Sequence, residues 1–218
     1  MSLAGRGRPG GPRVRLVPGA LEVAEAAHAC RTWPELAATV RRCTACPELA
    51  AYRGQVVVGD VPAGGPARAR LALVGEAPGA EEDAAGRPFV GRAGRLLDGL
   101  LAAAGLDRAE AAVLNVLRCR PPGNRPPRPE EATRCRGWLD RSLELVQPEL
   151  VVTLGLTAAV LFLGRRVTLA AVRGAVHEVD GQRILPTYHP SAAIRFGPDG
   201  VPRAALAEDL RLAATLLG

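Results

Sequence analysis

The sequence predicts an α/β sandwich around a mainly parallel, four-stranded sheet. Short apolar runs of strand length alternate with longer stretches of helical spacing. Glycine or proline bounds most of these runs, which keeps the strands and helices separate. Strands that alternate with helices pair in parallel, because each crossover helix carries the chain back across the sheet.

Taken in order, residues 1–20 carry four arginines and no acid, and read as a flexible basic arm. Residues 21–218 form one domain. Leu21–Val40 has the helical spacing of Leu, Val and Ala. Arg68–Gly75 is a buried strand closed by glycine. Arg92–Ala104 is an amphipathic helix stopped at Gly105, and Ala111–Leu117 is the second strand. Pro129–Val146 is a helix with proline at its start and two acids in its first turn, where the helix dipole favours them. Leu150–Leu154 is the third strand and leads into a helix that ends at Leu163. His177 falls on an edge strand, Arg183–Pro186 is the fourth strand of the sheet, and Ala204–Leu217 closes the chain as a helix.

The 218 residues suit one ordinary domain, and 48% hydrophobic content supplies a core. The apolar runs around Gly155 and Gly164 are too short to span a bilayer. No basic segment leads into an apolar signal core, so the reading is a cytoplasmic protein with no membrane partner. Net charge is +6, and all 28 basic residues are arginine. Without lysine there is no P-loop lysine, no pyridoxal lysine and no lysine Schiff base. The positive balance suits a phosphate-bearing partner held by a salt-sensitive attraction.

In such sheets ligands bind beyond the carboxyl ends of the strands. Three polar motifs fall there: Glu76-Ala77-Pro78-Gly79, Asn115, and His189-Pro190-Ser191. The five cysteines add a second centre. Cys43 and Cys46 form a CxxC pair, Cys119 follows the second strand, and Cys135 lies in the next helix. A pair plus two distant singles closes a four-thiolate site, suited to tetrahedral zinc or to an iron–sulfur cluster, between which spacing does not choose. Cys30 is left over and reads as a small buried hydrophobe. Arg118, Arg120, Arg125, Arg128, Arg134 and Arg136 crowd the last two cysteines. They either compensate a negative cluster or form, with the prolines of Arg120–Arg128, a strap for a nucleic-acid backbone.

These motifs carry a resemblance. GEAPGAEEDAAGRPFVGRAGRLLDGLL (Gly75–Leu101), LNVLRCRPPGNRPP (Leu114–Pro127) and YHPSAAIR (Tyr188–Arg195), with the four cysteines, resemble the family 4 uracil-DNA glycosylases, the iron–sulfur type of bacteria and archaea. The resemblance implies a three-layer α/β/α sandwich and a structural [4Fe–4S] cluster on Cys43, Cys46, Cys119 and Cys135. It also implies a monomeric repair enzyme acting on uracil-containing DNA, single- or double-stranded. The rival readings are a non-enzymatic nucleic-acid-binding module on a zinc site, and a relative that removes hypoxanthine or xanthine.

Uracil in a duplex is stacked, so the enzyme must flip it out before its glycosidic bond is reachable. On the resemblance, Phe89 stacks on the base and Asn115 reads O4 and N3–H with one amide. His189 donates to O2 as charge builds there, aided by backbone N–H groups around Glu76 and Ala77. Ala77 stands where a better-known glycosylase family of the superfamily places an aspartate, so no side chain there activates water. Glu82 either narrows the pocket near C5 against the thymine methyl or is simply an acid at a helix start. Gly79, Ser191 and Arg195 complete the expected substrate contacts.

Overall fold

The computed structural model describes residues 17–63 and 67–218. The basic arm expected at 1–20 therefore lies outside the described residues up to position 16. The first described helix is α1 (Ala20–Ala29).

Leu21–Val40 is two helices, α1 and α2 (Trp33–Arg41), instead of one. Thr32 ends the continuity by capping α2. Its hydroxyl accepts from Glu35 N at 3.4 Å, the Glu35 carboxylate accepts from Thr32 N at 3.3 Å, and Pro34 sits in the first turn. Then follow α3 (Pro47–Tyr52), β1 (Leu71–Gly75), α4 (Ala80–Ala85), α5 (Arg92–Ala103) and β2 (Ala111–Asn115). The second half holds α6 (Pro129–Val146), β3 (Leu150–Leu154), α7 (Leu156–Leu163), α8 (Leu169–Val172), β4 (His177–Val179), β5 (Gln182–Thr187), α9 (Pro190–Arg195) and α10 (Val201–Leu217).

Among the described residues the sheet has five strands in the order β2-β1-β3-β5-β4, one more than the four expected. The extra strand is β4, which pairs antiparallel with β5. Asp180 and Gly181 join the two, both at positive φ, the backbone of a tight hairpin turn. The edge strand expected at His177 is this one, and its three residues carry too little apolar pattern to place it in the sheet from sequence. The other strands are parallel, as expected.

Each parallel strand is buried on both faces. Leu71 and Leu73 of β1, with Val113, Val152 and Leu185, pack under α5 and α10. Ala72 and Val74, with Leu114, Val151 and Ile184, pack under α6 and α7. That is the α/β/α sandwich. A third apolar cluster joins α1, α2 and Trp138 of α6 around the cysteines. Among the described residues no helix is long and apolar enough to cross a membrane.

Register brings the polar motifs together. Gly75, last in β1, lies opposite Asn115, last in β2, and Leu154 of β3 lies opposite Thr187 of β5. The segments carrying Glu76 and His189 leave from this one edge of the sheet.

Candidate active site and four-cysteine cavity

A single cleft at that edge is lined by Glu76, Ala77, Gly79, Glu82, Phe89, Asn115, His189, Ser191 and Arg195. The structure thus gathers every non-cysteine candidate. Gly75 makes the close approach possible: a Cβ there would sit 2.5 Å from both the Phe89 ring and Asn115 Oδ1. Asn115 is 3% exposed, and its Oδ1 is buried with no hydrogen-bond partner among the described residues. A buried amide oxygen left open is costly, roughly 1–3 kcal/mol, unless a ligand N–H fills it. The Phe89 and His189 rings stand 5.6 Å apart, tilted by 34°.

His189 is the residue before α9, and its Nδ1 accepts from Ser191 N at 3.1 Å. The Ser191 hydroxyl reaches the same nitrogen at 2.8 Å. A backbone N–H only donates, so Nδ1 is the acceptor and the neutral ring carries its proton on Nε2. Burial drives the imidazole's titration down to about 4, with Glu82 opposing the shift. His189 is therefore a neutral donor through the ordinary pH range.

Glu82 lines the cleft, but its carboxylate is already engaged. It accepts from Gly79 N at 3.1 Å, Val90 N at 3.0 Å and Gly91 N at 2.8 Å. Both oxygens tie backbone to backbone, as an acid at a helix start does, while the side chain remains part of the cleft wall. Asp83 acts similarly, accepting from Gly54 N at 2.8 Å. Glu76 is different: among the described residues its carboxylate reaches only a side-chain partner, the hydroxyl of Thr157 in the first turn of α7. Arg195 is exposed, stacked 6.0 Å over Phe196.

Sequence reasoning missed Thr157, which carries no local signal because Glu76 lies 81 positions away. It also missed Tyr188 and Gly155 on the cleft wall, although Tyr188 directly precedes the His-Pro-Ser motif. The proline strap contributes Pro121, Asn124, Arg125 and Pro126 to the same cleft.

All four cysteine candidates line a second, separate cavity, while Cys30 is buried away from it with its thiol on Ala26 O. Among the described residues no three metal-ligating side chains converge as a single ion requires. The arginines split instead of acting as a block. Arg125 pairs with Glu131 at 2.6 Å, Arg128 with Glu48, and Arg136 with Asp140 at 2.5 Å. Arg120 bonds Asn124 and lies 5.5 Å over the Tyr52 ring, and Arg134 bonds Pro18 O. Only Arg118 of that run is fully buried. It donates to Val58 O at 2.5 Å and Ser142 Oγ at 2.8 Å, and its Nε has no partner among the described residues. Arg53, not foreseen, donates to Cys119 Sγ at 3.0 Å, and the Trp138 indole N–H to Cys43 Sγ at 3.4 Å. Burial pushes Cys135 up to about 12 and also raises Cys46 and Cys119.

This cavity fits an anionic thiolate cluster. Thiols so desolvated stay protonated until a metal takes the charge. A buried guanidinium without a carboxylate partner among the described residues suits an anionic group nearby. The two N–H donors aimed at sulfur match the hydrogen bonding that cluster thiolates accept.

Residues 62–211 match the family described as the uracil DNA glycosylase superfamily. A type-4 uracil-DNA glycosylase of Thermotoga maritima is 42% identical over 180 residues, covering 82% of this chain and 91% of that protein. One from Archaeoglobus fulgidus is 44% identical over 142 residues, 62% of this chain and 71% of that protein. A type-5 uracil-DNA glycosylase of Thermus thermophilus is 32% identical over 185 residues, 70% of this chain and 84% of that protein.

Proposed function

Because this chain belongs to the uracil DNA glycosylase superfamily, with type-4 members among its relatives, we propose that it is a monofunctional uracil-DNA glycosylase of base-excision repair. It acts as a monomer on DNA in the cytoplasm. The observation that carries the reading is Asn115: a buried amide with an unfilled acceptor, beside an aromatic ring and a neutral imidazole. Uracil offers N3–H to Asn115 Oδ1 and O4 to its amide nitrogen. Cytosine reverses that pattern and is rejected.

The base leaves with the electron pair of the C1′–N1 bond, and charge collects on O2. His189 Nε2–H is the donor for that oxygen, held by Ser191 at the far side of the ring. Water then adds at C1′ and gives up its proton. Glu76 and Glu82 are the acids on the cleft wall among the described residues, and Glu82 is engaged. Glu76, steadied by Thr157, is therefore the carboxylate assigned to the water or the sugar cation.

The testing experiment is base release from single- and double-stranded oligonucleotides carrying uracil, hypoxanthine or xanthine. Uracil release supports the reading. Release of a purine alone makes the chain a relative of shifted specificity, and no release from any substrate leaves only a binding module. The product is expected to be an intact abasic site, since a lyase needs an amine nucleophile and the chain has no lysine. A borohydride-trapped adduct contradicts this.

Cys43, Cys46, Cys119 and Cys135 would hold a [4Fe–4S] cluster, which orders the surrounding segments when bound. The purified protein should be brown, with a broad band at the violet end of the visible range and about four irons per chain. Colourless protein from anaerobic purification, with one zinc per chain, overturns the assignment.

The pH profile is a further expectation. With His189 titrating at about 4, uracil release shows no histidine break near the ordinary 6.5. The fall assigned to this residue comes only as pH approaches 4. The same shift favours the fold above pH 6.5, and that contribution is lost as pH falls from 6.5 through 4. A histidine limb near 6.5 in kcat/KM, absent from the His189→Gln protein, would contradict the buried neutral donor.

A further inference from the structure

Phe89 sits at φ 52, the left-handed region that a bulky residue adopts only when its surroundings impose it. The turn is pressed onto α5 so tightly that a Cβ on Gly94 would lie 1.7 Å from Phe89 O. Its backbone groups are held from two sides. Glu82 takes the Val90 and Gly91 amides at 3.0 and 2.8 Å. A single arginine takes the two preceding carbonyls: Arg108 donates to Pro88 O at 2.7 Å and to Phe89 O at 3.3 Å.

Arg108 does not line the cleft. It belongs to the short helical turn Arg108–Glu110 before β2. Asp98 holds its guanidinium at 2.8 Å, with Asp60 at 3.7 Å behind. Asp60 in turn is fixed to β2 through paired backbone bonds with Val113 at 2.9 and 2.8 Å. The chain of contacts therefore runs from the sheet, through Asp60 and Arg108, to the backbone that aims the Phe89 ring. A planar guanidinium serves two carbonyls and two carboxylates at once because its N–H groups diverge in a fixed fork. A lysine ammonium cannot span them.

We propose that Arg108 is a positioning residue for base recognition, clamping the strained Pro88–Phe89 turn so that the Phe89 ring stays against Gly75, Asn115 and His189. The proposal rests on the glycosylase reading for its consequence and on geometry for the clamp. Without the fork, Phe89 relaxes from positive φ and the pocket wall withdraws. Displacement of a positioning group by about 1 Å costs on the order of 100-fold in rate.

The test compares Arg108→Ala, Arg108→Lys and the surface control Glu110→Ala, each as cluster-loaded full chain, well below the unfolding temperature. Amide hydrogen exchange at Val90 and Gly91, the two amides that follow the clamped carbonyls, reads the order of the turn. Inhibition by free uracil reads the pocket without DNA contacts, and single-turnover excision reads the chemistry. Arg108→Ala should exchange at least about tenfold faster at both amides. Its uracil inhibition should weaken and its excision should fall on the order of 100-fold, while affinity for undamaged DNA stays at the parent value. Arg108→Lys should recover little, and Glu110→Ala should match the parent. If Arg108→Ala keeps parental exchange, uracil inhibition and excision, and loses only melting temperature, Arg108 is structural and the proposal is overturned. If the parent itself releases no uracil, the glycosylase reading fails, and the exchange rates still decide whether Arg108 holds the turn.

Discussion

Asn115→Asp is expected to lower uracil excision by at least about 100-fold at pH 8. The amide presents one acceptor and one donor to the uracil edge. The carboxylate keeps the acceptor for N3–H but turns the donor for O4 into a second acceptor. Repulsion at O4, and the loss of one well-made bond in a closed pocket, amount to roughly 1–3 kcal/mol for each unsatisfied group, and each 1.4 kcal/mol is tenfold in rate. The new carboxyl is buried where Asn115 is 3% exposed. Burial raises a carboxyl's pKa, and its protonated form restores one donor and one acceptor. The defect should therefore shrink as pH falls and deepen as it rises, a trend a structural lesion does not produce. Cytosine, which offers an N4 donor to the carboxylate, should be released slowly where the parent releases none. Affinity for undamaged DNA, set by arginine and phosphate, should stay at the parental value. A folded, cluster-bearing Asn115→Asp protein that excises uracil at the parent rate at pH 8 shows that Asn115 does not read the base.

The parts of this site that are legible in the sequence are those fixed by local pattern. Strand periodicity places Gly75 and Asn115 at strand ends, and the parallel sheet brings such ends to one edge, so Glu76, Asn115 and His189 converge. The cysteine set is legible because thiols in that number and spacing have few other uses. What escapes the sequence is partner choice across long separations. Glu82 and Arg125 look alike as surface charges. Yet Glu82 serves three backbone amides, and Arg125 closes an ion pair with Glu131. Arg118 and Arg120 flank the same cysteine, yet one is fully buried and the other lies over Tyr52. Arg53 reaches Cys119 across 66 positions, and Thr157 reaches Glu76 across 81. No window of sequence contains both members of such a pair. The pairing of the edge strand at His177 into the sheet and the break at Thr32 escape for the opposite reason, because each is set by a few polar residues that periodicity does not weigh.

The second large effect belongs to His189→Ala, which removes the donor aimed at the charge developing on O2. Loss of one preorganised donor to a forming oxyanion costs on the order of 100-fold in rate. The loss should appear in single-turnover excision, with DNA affinity nearly unchanged, because the ground-state carbonyl asks less of the donor than the anion does. Ser191→Ala should cost less. The Ser191 backbone N–H survives the substitution and continues to donate to Nδ1 at 3.1 Å, so the proton stays on Nε2 after the hydroxyl is gone. The order His189→Ala far below Ser191→Ala, with Ser191→Ala near the parent, therefore separates the donor from its support. Leaving groups sharpen the comparison. 5-Fluorouracil departs as a more stable anion and needs less help at O2, so the His189→Ala penalty should be smaller for it than for uracil. Equal penalties on the two bases would place His189 in binding and not in stabilising the anion. Full activity in His189→Ala would make the ring a mere neighbour of Phe89, and the O2 donor would then have to come from the backbone N–H groups around Glu76 and Ala77.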